Sequence, residues 1–285
     1  MASPSSQVAL VTGASSGIGR AAAILLARSG YRVFATVRST EDEVSLREAA
    51  VGLPLDVLRL DVADESASAR CVHDVVGRAD RIDVLVNNAG FAQLGAVEDL
   101  TRAALRQQFE VNVFGPMHLC REVLPVMRSH GSGRIVNVIS LAGRVSVPFI
   151  GAYCASKFAL EAFSDSLRVE ARSAGVRVVL VEPGPVKTRF QEALRSSASD
   201  LPKASEFRAH YDEILSEPTS RFAVDPERVA RVILRGIRSP RPRARYRVRL
   251  VEGAVARITR VVPASAMDWG VARFYGLRPA ASQRR

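Results

Sequence analysis

Short apolar runs alternate with amphipathic helical patterns through most of this chain. Each run is rich in β-branched residues and is too apolar to have a solvated face, which is typical of parallel strands covered on both sides. The runs occupy 7–13, 31–37, 55–62, 82–90, 133–140 and 176–184, and the helical patterns occupy 17–29, about 40–50, 65–79, 101–128 and 152–173. This alternation predicts an α/β fold with one doubly wound parallel sheet and helices on both faces.

The later part of the chain breaks the alternation. A helix predicted over 225–237 begins with Asp225-Pro226, a cap followed by a first-turn proline, and a seventh strand is predicted at 245–250. Residues 188–224 are polar and helix-prone, so we expect them to cross one edge of the domain as a lid. Residues 251–285 hold short amphipathic pieces and are expected to pack on the domain or on a partner. The chain shows no internal repeat or flexible linker, which favours one domain over 1–250.

Composition limits the cellular setting. The three cysteines, Cys71, Cys120 and Cys154, are scattered and predict no disulfide framework, which favours a reducing compartment. No stretch approaches the roughly twenty apolar residues of a membrane-spanning helix. The N-terminus lacks the charged and then apolar layout of a signal peptide. These features predict a cytoplasmic protein.

The formal net charge of +11 raises the question of a nucleic-acid partner. The excess is almost entirely arginine and is concentrated in 235–250. No aromatic-rich basic motif, zinc spacing or helix-turn-helix pattern accompanies it, so we predict neither nucleic-acid binding nor a metal site.

A glycine turn follows the first predicted strand. In "TGASSGIGRA" (12–21), Gly13 allows a tight turn, Gly17 lets the backbone approach a pyrophosphate, and Gly19 lets helix and strand pack closely. The following helix offers free N–H groups and its positive dipole end to phosphates. This arrangement predicts a dinucleotide-binding (Rossmann) domain that binds the cofactor with Gly13, Ser15, Ser16, Gly17, Ile18 and Gly19.

The end of the second predicted strand bears on which dinucleotide binds. NAD sites usually place an acid there to accept a hydrogen bond from the ribose 2′-hydroxyl, whereas this chain has Val37 and Arg38. An arginine can pair with a 2′-phosphate, so NADP(H) is favoured over NAD(H). The alternative is an ordinary surface arginine.

Tyr153 and Lys157 are four residues apart at the start of a predicted helix, so their side chains share one face. An ammonium beside a phenol favours the phenolate and lowers the tyrosine pKa. Such a tyrosine can exchange a proton with a substrate oxygen while a nicotinamide exchanges a hydride with the carbon. Ser140 closes a strand at the edge where α/β sheets bind ligands, and Asn112 has poor propensity for its mid-helix position.

Five ordered motifs resemble those of the short-chain dehydrogenases/reductases, in their compact single-domain branch. They are "TGASSGIG", "LDV" (60–62), "NNAG" (87–90), Asn112 with Ser140 and "YCASK" (153–157), and "PGPVKT" (183–188), within a resemblance that spans about residues 7–250. The resemblance implies that Tyr153 is the general acid/base, that Ser140 anchors the substrate oxygen, and that Lys157 binds the nicotinamide ribose. It further implies that Asn112 holds a water linked to Lys157. The implied cofactor contacts beyond the glycine turn and Arg38 are Asp61, Val62, Asn88, Ala89, Gly90, Tyr153, Lys157, Pro183, Gly184, Val186 and Thr188.

The segments 90–101, 141–153 and 188–224 are expected to surround the substrate. Their amino-acid sequence is most similar to that of the estradiol 17β-dehydrogenase and retinol dehydrogenase group. Apolar residues without a charged anchor are expected to line the pocket beside Ser140, which predicts a lipophilic ketone or secondary alcohol of steroid or retinoid type. These residues are Leu94, Val145, Val147, Pro148, Phe149 and Phe190. His210 and Tyr211 either contact the substrate from the lid or lie on a surface helix.

Several alternatives remain open at this point. The chain could be a broad carbonyl reductase, or a regulator that senses NADP without turnover, although the intact set of four catalytic residues argues against the second. Trp269 and Phe274 could rest on a membrane surface, but packing on the domain or a partner is favoured. Since helices 101–128 and 152–173 commonly pair across subunits in this family, a homodimer or homotetramer is expected.

Overall fold

A seven-stranded parallel sheet forms the centre of the computed structural model, which describes residues 6–199, 201–216, 222–249 and 262–277. The strand order is β3-β2-β1-β4-β5-β6-β7, so the chain reverses direction across the sheet between β1 and β4. In such folds ligands bind at the carboxyl ends of the strands beside that reversal. The strands are β1 Val8–Val11, β2 Arg32–Val37, β3 Leu55–Arg59, β4 Val84–Asn87, β5 Gly133–Val138, β6 Val176–Glu182 and β7 Arg245–Arg247.

Helices cover both faces, which confirms the predicted fold class. Alternate strand residues point to opposite faces, so Ala9 and Val11 pack with the helices at Gly17–Arg28 and Pro226–Arg238. Val8 and Leu10 pack with the helices at Glu65–Ala79 and Gly115–Ser129. The helices are α1 Gly17–Arg28, α2 Thr40–Ala49, α3 Glu65–Ala79, α4 Arg102–Phe109, α5 Gly115–Ser129, α6 Gly151–Glu170, α7 Phe190–Ser197, α8 Arg208–Ser216, α9 Pro226–Arg238 and α10 Ala264–Phe274.

Some predicted elements are shorter or interrupted. The third strand ends at Arg59 and the fourth at Asn87, because the residues that follow leave the sheet to border a cavity. The helix predicted over 101–128 contains a π-helical segment at Glu110–Phe114, which separates α4 from α5. The seventh strand occupies Arg245–Arg247 of the predicted 245–250, and residue 250 lies outside the described residues.

A third apolar cluster lies over the carboxyl edge of the sheet. Leu194 and Tyr211 of the predicted lid pack there with Leu94, and Tyr275 and Leu277 join them from beyond α10. This part of the C-terminal extension therefore packs on the domain, while residues 250–261 and 278–285 lie outside the described residues. Among the described helices, none is both long and apolar enough to cross a bilayer.

Candidate active site

One cavity of about 950 Å³ runs along the carboxyl ends of the strands. The glycine turn borders one end, and the segments that carry Ser140, Tyr153 and Lys157 border the other. Most of the residues predicted from sequence therefore face a single space. Those that line it are Gly13, Ser15, Ser16, Gly17, Ile18, Arg38, Asp61, Val62, Asn88, Ala89, Gly90, Ser140, Val145, Val147, Tyr153, Lys157, Pro183, Gly184, Val186, Thr188 and Phe190.

The glycine positions of the turn leave no room for a side chain. Gly13 and Gly17 adopt left-handed backbone conformations, with φ of 66° and 55°. A Cβ atom on Gly17 would lie 2.6 Å from Cγ2 of Thr188, and one on Gly19 would lie 2.2 Å from the carbonyl oxygen of Gly13. Ser16 precedes α1 without a side-chain cap, so the first N–H groups of α1 keep their capacity to bind phosphate. This turn fits a dinucleotide pyrophosphate.

A partly buried polar network holds the turn in place. The Asn88 side-chain amide donates to the carbonyl oxygens of Thr12 at 3.0 Å and Gly13 at 3.1 Å. The Thr12 hydroxyl accepts from the backbone N–H groups of Asn88 at 3.0 Å and Ala89 at 3.1 Å. The segment after β4 thus fixes the backbone of the turn before any ligand binds.

Charged residues surround the end of the cavity beside β2. Arg38 lines this end from an exposed position directly after β2. Arg189 donates to the carbonyl oxygen of Ser15 at 3.4 Å and pairs with Asp42 of α2 at 3.0 Å, so it spans the glycine turn from the start of the lid. Sequence reasoning missed Arg189, because nothing in the chain pairs residues 42 and 189 by motif or periodicity.

Ser140 and Tyr153 meet at the other end of the cavity. Ser140 lies two residues after the end of β5 and caps the short 3₁₀ turn Leu141–Gly143, its hydroxyl accepting from the N–H of Ala142 at 3.1 Å. Burial raises the pKa of Tyr153 to about 12, and a hydrogen bond with Ser140 acts in the opposite direction. The phenol is therefore protonated at neutral pH and can act as a proton donor.

The expected lowering of the Tyr153 pKa is wrong for the protein without cofactor. Lys157 Nζ lies 5.7 Å from the centroid of the Tyr153 ring and donates to the carbonyl oxygen of Val138 at 3.1 Å. Burial lowers the pKa of Lys157 itself to about 8, because an ammonium is poorly solvated there. Burial is thus the largest influence on the pKa of the phenol, and it acts against the phenolate.

Asn112 lies in the π-helical segment rather than in a regular helix. Its amide donates to the carbonyl oxygen of Phe91 and to the hydroxyl of Ser156, both at 3.0 Å, and its carbonyl accepts from the N–H of Phe91 at 3.1 Å. Asn112 is fully buried and does not line the cavity. A Cβ on Gly90 would lie 3.0 Å from Asn112 Oδ1 and 3.6 Å from Lys157 Nζ, which places Gly90 beside both side chains.

Three residues predicted to contact substrate do not line the cavity. Leu94 and Phe149 are buried in the third apolar cluster, and Pro148 also lies outside the lining. Val147 faces the cavity, and in an extended segment residue 149 would face it too. The left-handed backbone of Phe149, with φ of 67°, breaks this alternation, and its ring packs against Phe207 and Tyr211 instead.

The two lid residues left open by the sequence have structural contacts. Tyr211 is fully buried, and its hydroxyl donates to Asp99 and accepts from the N–H of Ala96 at 2.8 Å. The His210 ring stacks on Phe149 with the ring centroids 5.2 Å apart. Neither residue lines the cavity.

The C-terminal extension contributes a residue that sequence reasoning did not assign to the site. Tyr275 follows α10, lines the cavity, and packs edge-on against Phe149 with a centroid distance of 6.0 Å. Phe190 of α7 packs edge-on against Tyr153 at 5.8 Å. The wall of the cavity around Tyr153 is thus assembled from segments far apart in sequence.

Comparisons with known proteins agree with this geometry. A family model described as short chain dehydrogenase matches residues 7–199. The chain is 37% identical over 260 residues to the uncharacterized oxidoreductase YbbO of Escherichia coli strain K12, covering 91% of each chain. It is 38% identical to retinol dehydrogenase 8 of Bos taurus, covering 91% of this chain and 85% of that one. Its identity to human 17-beta-hydroxysteroid dehydrogenase type 1 is 37%, covering 84% and 76%.

Solved structures show the same architecture. A short-chain dehydrogenase from Streptomyces avermitilis superposes with a TM-score of 0.75 at 33% identity, covering 95% of this chain and 99% of that one. A metagenomic short-chain oxidoreductase in complex with NADP gives 0.68 at 31% identity, covering 85% and 96%. With the family model matched over most of the sheet and relatives aligned over most of the chain, this protein belongs to the short-chain dehydrogenase/reductase family of oxidoreductases.

Proposed function

We propose that this oxidoreductase interconverts a lipophilic ketone and the corresponding secondary alcohol with NADP(H), and that Tyr153 is its general acid/base. The observation that carries the proposal is the convergence of Ser140, Tyr153 and Lys157 on the same cavity as the glycine turn. A cofactor held along the turn would extend toward these three side chains. Pro183, Gly184, Val186 and Thr188 would border its nicotinamide end.

The residues at this end have distinct roles in the proposed reaction. When bound, a reduced nicotinamide would supply a hydride to the carbonyl carbon. The Ser140 hydroxyl donates a hydrogen bond to the carbonyl oxygen and holds it near Tyr153. The phenol of Tyr153 gives its proton to that oxygen as the alcohol forms, and the positive charge of Lys157 stabilises the phenolate that is left. Oxidation of the alcohol reverses these steps.

The cofactor preference is proposed from Arg38. Its guanidinium lies after β2, where NAD sites usually carry an acid, and it can pair with a ribose 2′-phosphate. The NADP complex of the metagenomic relative is consistent with this preference. Because Asp42 is already paired with Arg189, its carboxylate is less available to a ribose hydroxyl.

The substrate class is proposed from the lining near Tyr153. The side chains there are mostly apolar, and the two named vertebrate relatives are a retinol dehydrogenase and a hydroxysteroid dehydrogenase. Glu192 of α7 reaches the lining from an exposed position, so a polar end of the substrate can meet it at the mouth. The apolar lining includes Leu141, Val145, Val147, Ile150, Phe190 and Tyr275.

The test is NADPH consumption by the wild type and Tyr153→Phe over steroid, retinoid and simple aryl ketones, repeated with NADH. We expect the phenylalanine variant to lose about 10²–10⁴-fold in kcat, because general acid catalysis contributes about that much. Its Kd for NADPH should stay close to that of the wild type. Tyr246→Phe, on β7 and outside the cavity lining, is the matched control and should keep full activity.

The other outcomes contradict particular parts of the proposal. Tight NADPH binding by both proteins without turnover of any ketone would favour a cofactor sensor. Turnover of small aryl ketones with no preference for bulky ones would favour a broad carbonyl reductase. If the wild type is more active with NADH than with NADPH, and Arg38→Gln leaves the ratio of the two activities unchanged, Arg38 does not select the cofactor.

A further inference from the structure

A cluster of buried ion pairs lies behind the catalytic side chains, outside the cavity lining. Its centre is formed by two carboxylates, Glu182 at the end of β6 and Glu161 on α6, whose side chains are 2% and 10% exposed. Arg144 contacts both, with Nη2 lying 2.6 Å from Glu161 Oε1 and 3.0 Å from Glu182 Oε1. Arg245 of β7 contacts both carboxylates, and Arg247 of the same strand contacts Glu182.

Three members of the cluster lie close in sequence to residues proposed to bind substrate or cofactor. They are Arg144, Glu161 and Glu182. Arg144 ends the turn that begins at Ser140. Glu161 lies one helical turn after Lys157 on α6, and so on the same side of that helix. Glu182 directly precedes Pro183, which borders the cavity. The guanidinium of Arg144 thus joins the three segments that carry the reacting end of the site.

Other contacts show that the turn is seated on its neighbours. The N–H of Leu141 donates to the carbonyl oxygen of Pro183 at 2.9 Å. A Cβ on Gly143 would lie 3.2 Å from the carbonyl oxygen of Lys157, so the turn rests directly against the backbone of α6. A shift of the turn would therefore move Ser140 relative to Tyr153.

We propose that Arg144 is a positioning residue, which holds the Ser140 turn against α6 and the end of β6 by binding Glu161 and Glu182 together. The proposal rests on the proposed function of Ser140 and Tyr153. Arg245 and Arg247 neutralise the same carboxylates, but they extend from β7, which contributes no residue to the cavity lining. Arg144 is the member of this cluster that belongs to the turn itself.

The test separates positioning from stability with two variants. Arg144→Gln alone leaves buried carboxylates with fewer partners, so both stability and activity should fall. Arg144→Gln combined with Glu161→Gln removes one charge of each sign, and Glu182 keeps its contacts with Arg245 and Arg247. We expect this double variant to regain most of the melting temperature of the wild type. Its kcat should stay at least about tenfold low, because small misplacements of reacting groups cost about that much or more.

Further measurements make the result specific. Kd for NADPH and KM for the ketone should change less than about threefold, since the loss lies in the transition state. Arg168→Gln is the matched control, because Arg168 pairs with Asp165 on α6 and does not touch the Ser140 turn. It should keep the kcat of the wild type. Recovery of both stability and kcat in the double variant, or an unchanged kcat in Arg144→Gln, would overturn the proposal.

Failure of the proposed function would look different. If the wild type reduces no ketone, that function fails, and crystal structures of the wild type and the double variant then test the positioning. A Ser140 hydroxyl displaced from Tyr153 in the double variant supports the role of Arg144. An undisturbed Ser140 overturns it.

Discussion

The two ends of the cavity are built by different means. At the cofactor end the wall includes a short loop whose backbone is shaped by glycines and fixed by the side chains of Thr12 and Asn88. At the substrate end the wall is made of apolar side chains from separate segments, among them Val147, Phe190 and Tyr275. The first end depends on close contacts within and beside one short loop. The second depends on how distant segments pack, and so it can vary while the catalytic residues stay in place.

The largest effect that sharpens this contrast is expected from Gly19→Ala. The added Cβ would lie 2.2 Å from the Gly13 carbonyl oxygen, a backbone atom that cannot move without displacing the turn. We expect the free energy of unfolding to fall by about 1–3 kcal/mol. NADPH should bind at least about tenfold more weakly, equivalent to about 1.4 kcal/mol. Urea unfolding and fluorescence titration with NADPH measure these two quantities.

Gly77→Ala is the matched control for that variant. Gly77 lies in α3, and a Cβ there would meet no atom within 4 Å. Alanine in a helix is favoured over glycine by about 0.5–1 kcal/mol, so this variant should be slightly more stable and bind NADPH normally. Equal cofactor affinity in the two variants would show that the turn does not need its glycine.

Lys157 lies at the same end of the cavity as Ser140 and Tyr153, and its removal should stabilise the protein without cofactor. Burial lowers the pKa of Lys157 from 10.5 to about 8. The unfolded chain holds this proton between those two pH values while the folded protein does not, so stability from this group rises with pH across that window. Below pH 8 the full cost of burying the charge is present. Lys157→Met removes that cost together with the hydrogen bond to Val138.

We therefore expect Lys157→Met to raise the free energy of unfolding by about 1–2 kcal/mol at pH 7, while abolishing ketone reduction. The gain should shrink as the pH rises from 8 toward 10.5. Urea unfolding at pH 7 and pH 10 measures both effects. Lys187→Met, at a side chain that is 61% exposed, is the control and should show neither. A loss of stability at pH 7 would contradict this account of Lys157.

The smallest effect is expected at the substrate end, from Tyr211→Phe. The variant loses a hydroxyl that binds Asp99 and accepts from the N–H of Ala96. We expect a loss of about 1 kcal/mol in the free energy of unfolding and a rise of a few-fold in KM for bulky ketones. Kd for NADPH should not change, because Tyr211 touches no residue of the glycine turn. A matching change in NADPH affinity would show that the two ends are coupled.

The sequence was sufficient to predict the sheet, its helices and, with the family resemblance, most of the residues that line the cavity beside the glycine turn. Buried parallel strands are runs of β-branched residues, and a turn whose backbone closely approaches a ligand needs glycine. Both requirements can therefore be recognised within a short stretch of the sequence. Gly13 and Gly17 were predicted for this reason, whereas Asn88 was predicted from the family resemblance.

The substrate end was predicted less well, again for physical reasons. Phe149 departs from the expected alternation because of one left-handed residue, and no sequence pattern predicts where that occurs. Tyr275 lines the cavity where it packs against Phe149, which lies more than a hundred residues earlier in the sequence. Arg189 and Asp42 form an ion pair at a similar separation in sequence. The cost of burying Tyr153 likewise depends on the whole surrounding fold. Such contacts are decided by tertiary packing.

The π-helical segment at Glu110–Phe114 determines how α4 is rotated about the helix axis relative to α5. An α-helix advances about 100° per residue, so one extra residue in the spiral rotates everything before it relative to everything after it by about that angle. Asn112 lies within the segment, where its side-chain amide accepts a hydrogen bond from the N–H of Phe91 and donates one to the carbonyl oxygen of Phe91. Deleting a single residue here would restore a regular spiral and turn the outward face of α4 away from its present direction. The segment thus sets the angle between the outward faces of α4 and α5. At the same point it anchors the loop that contains Phe91, beside Lys157.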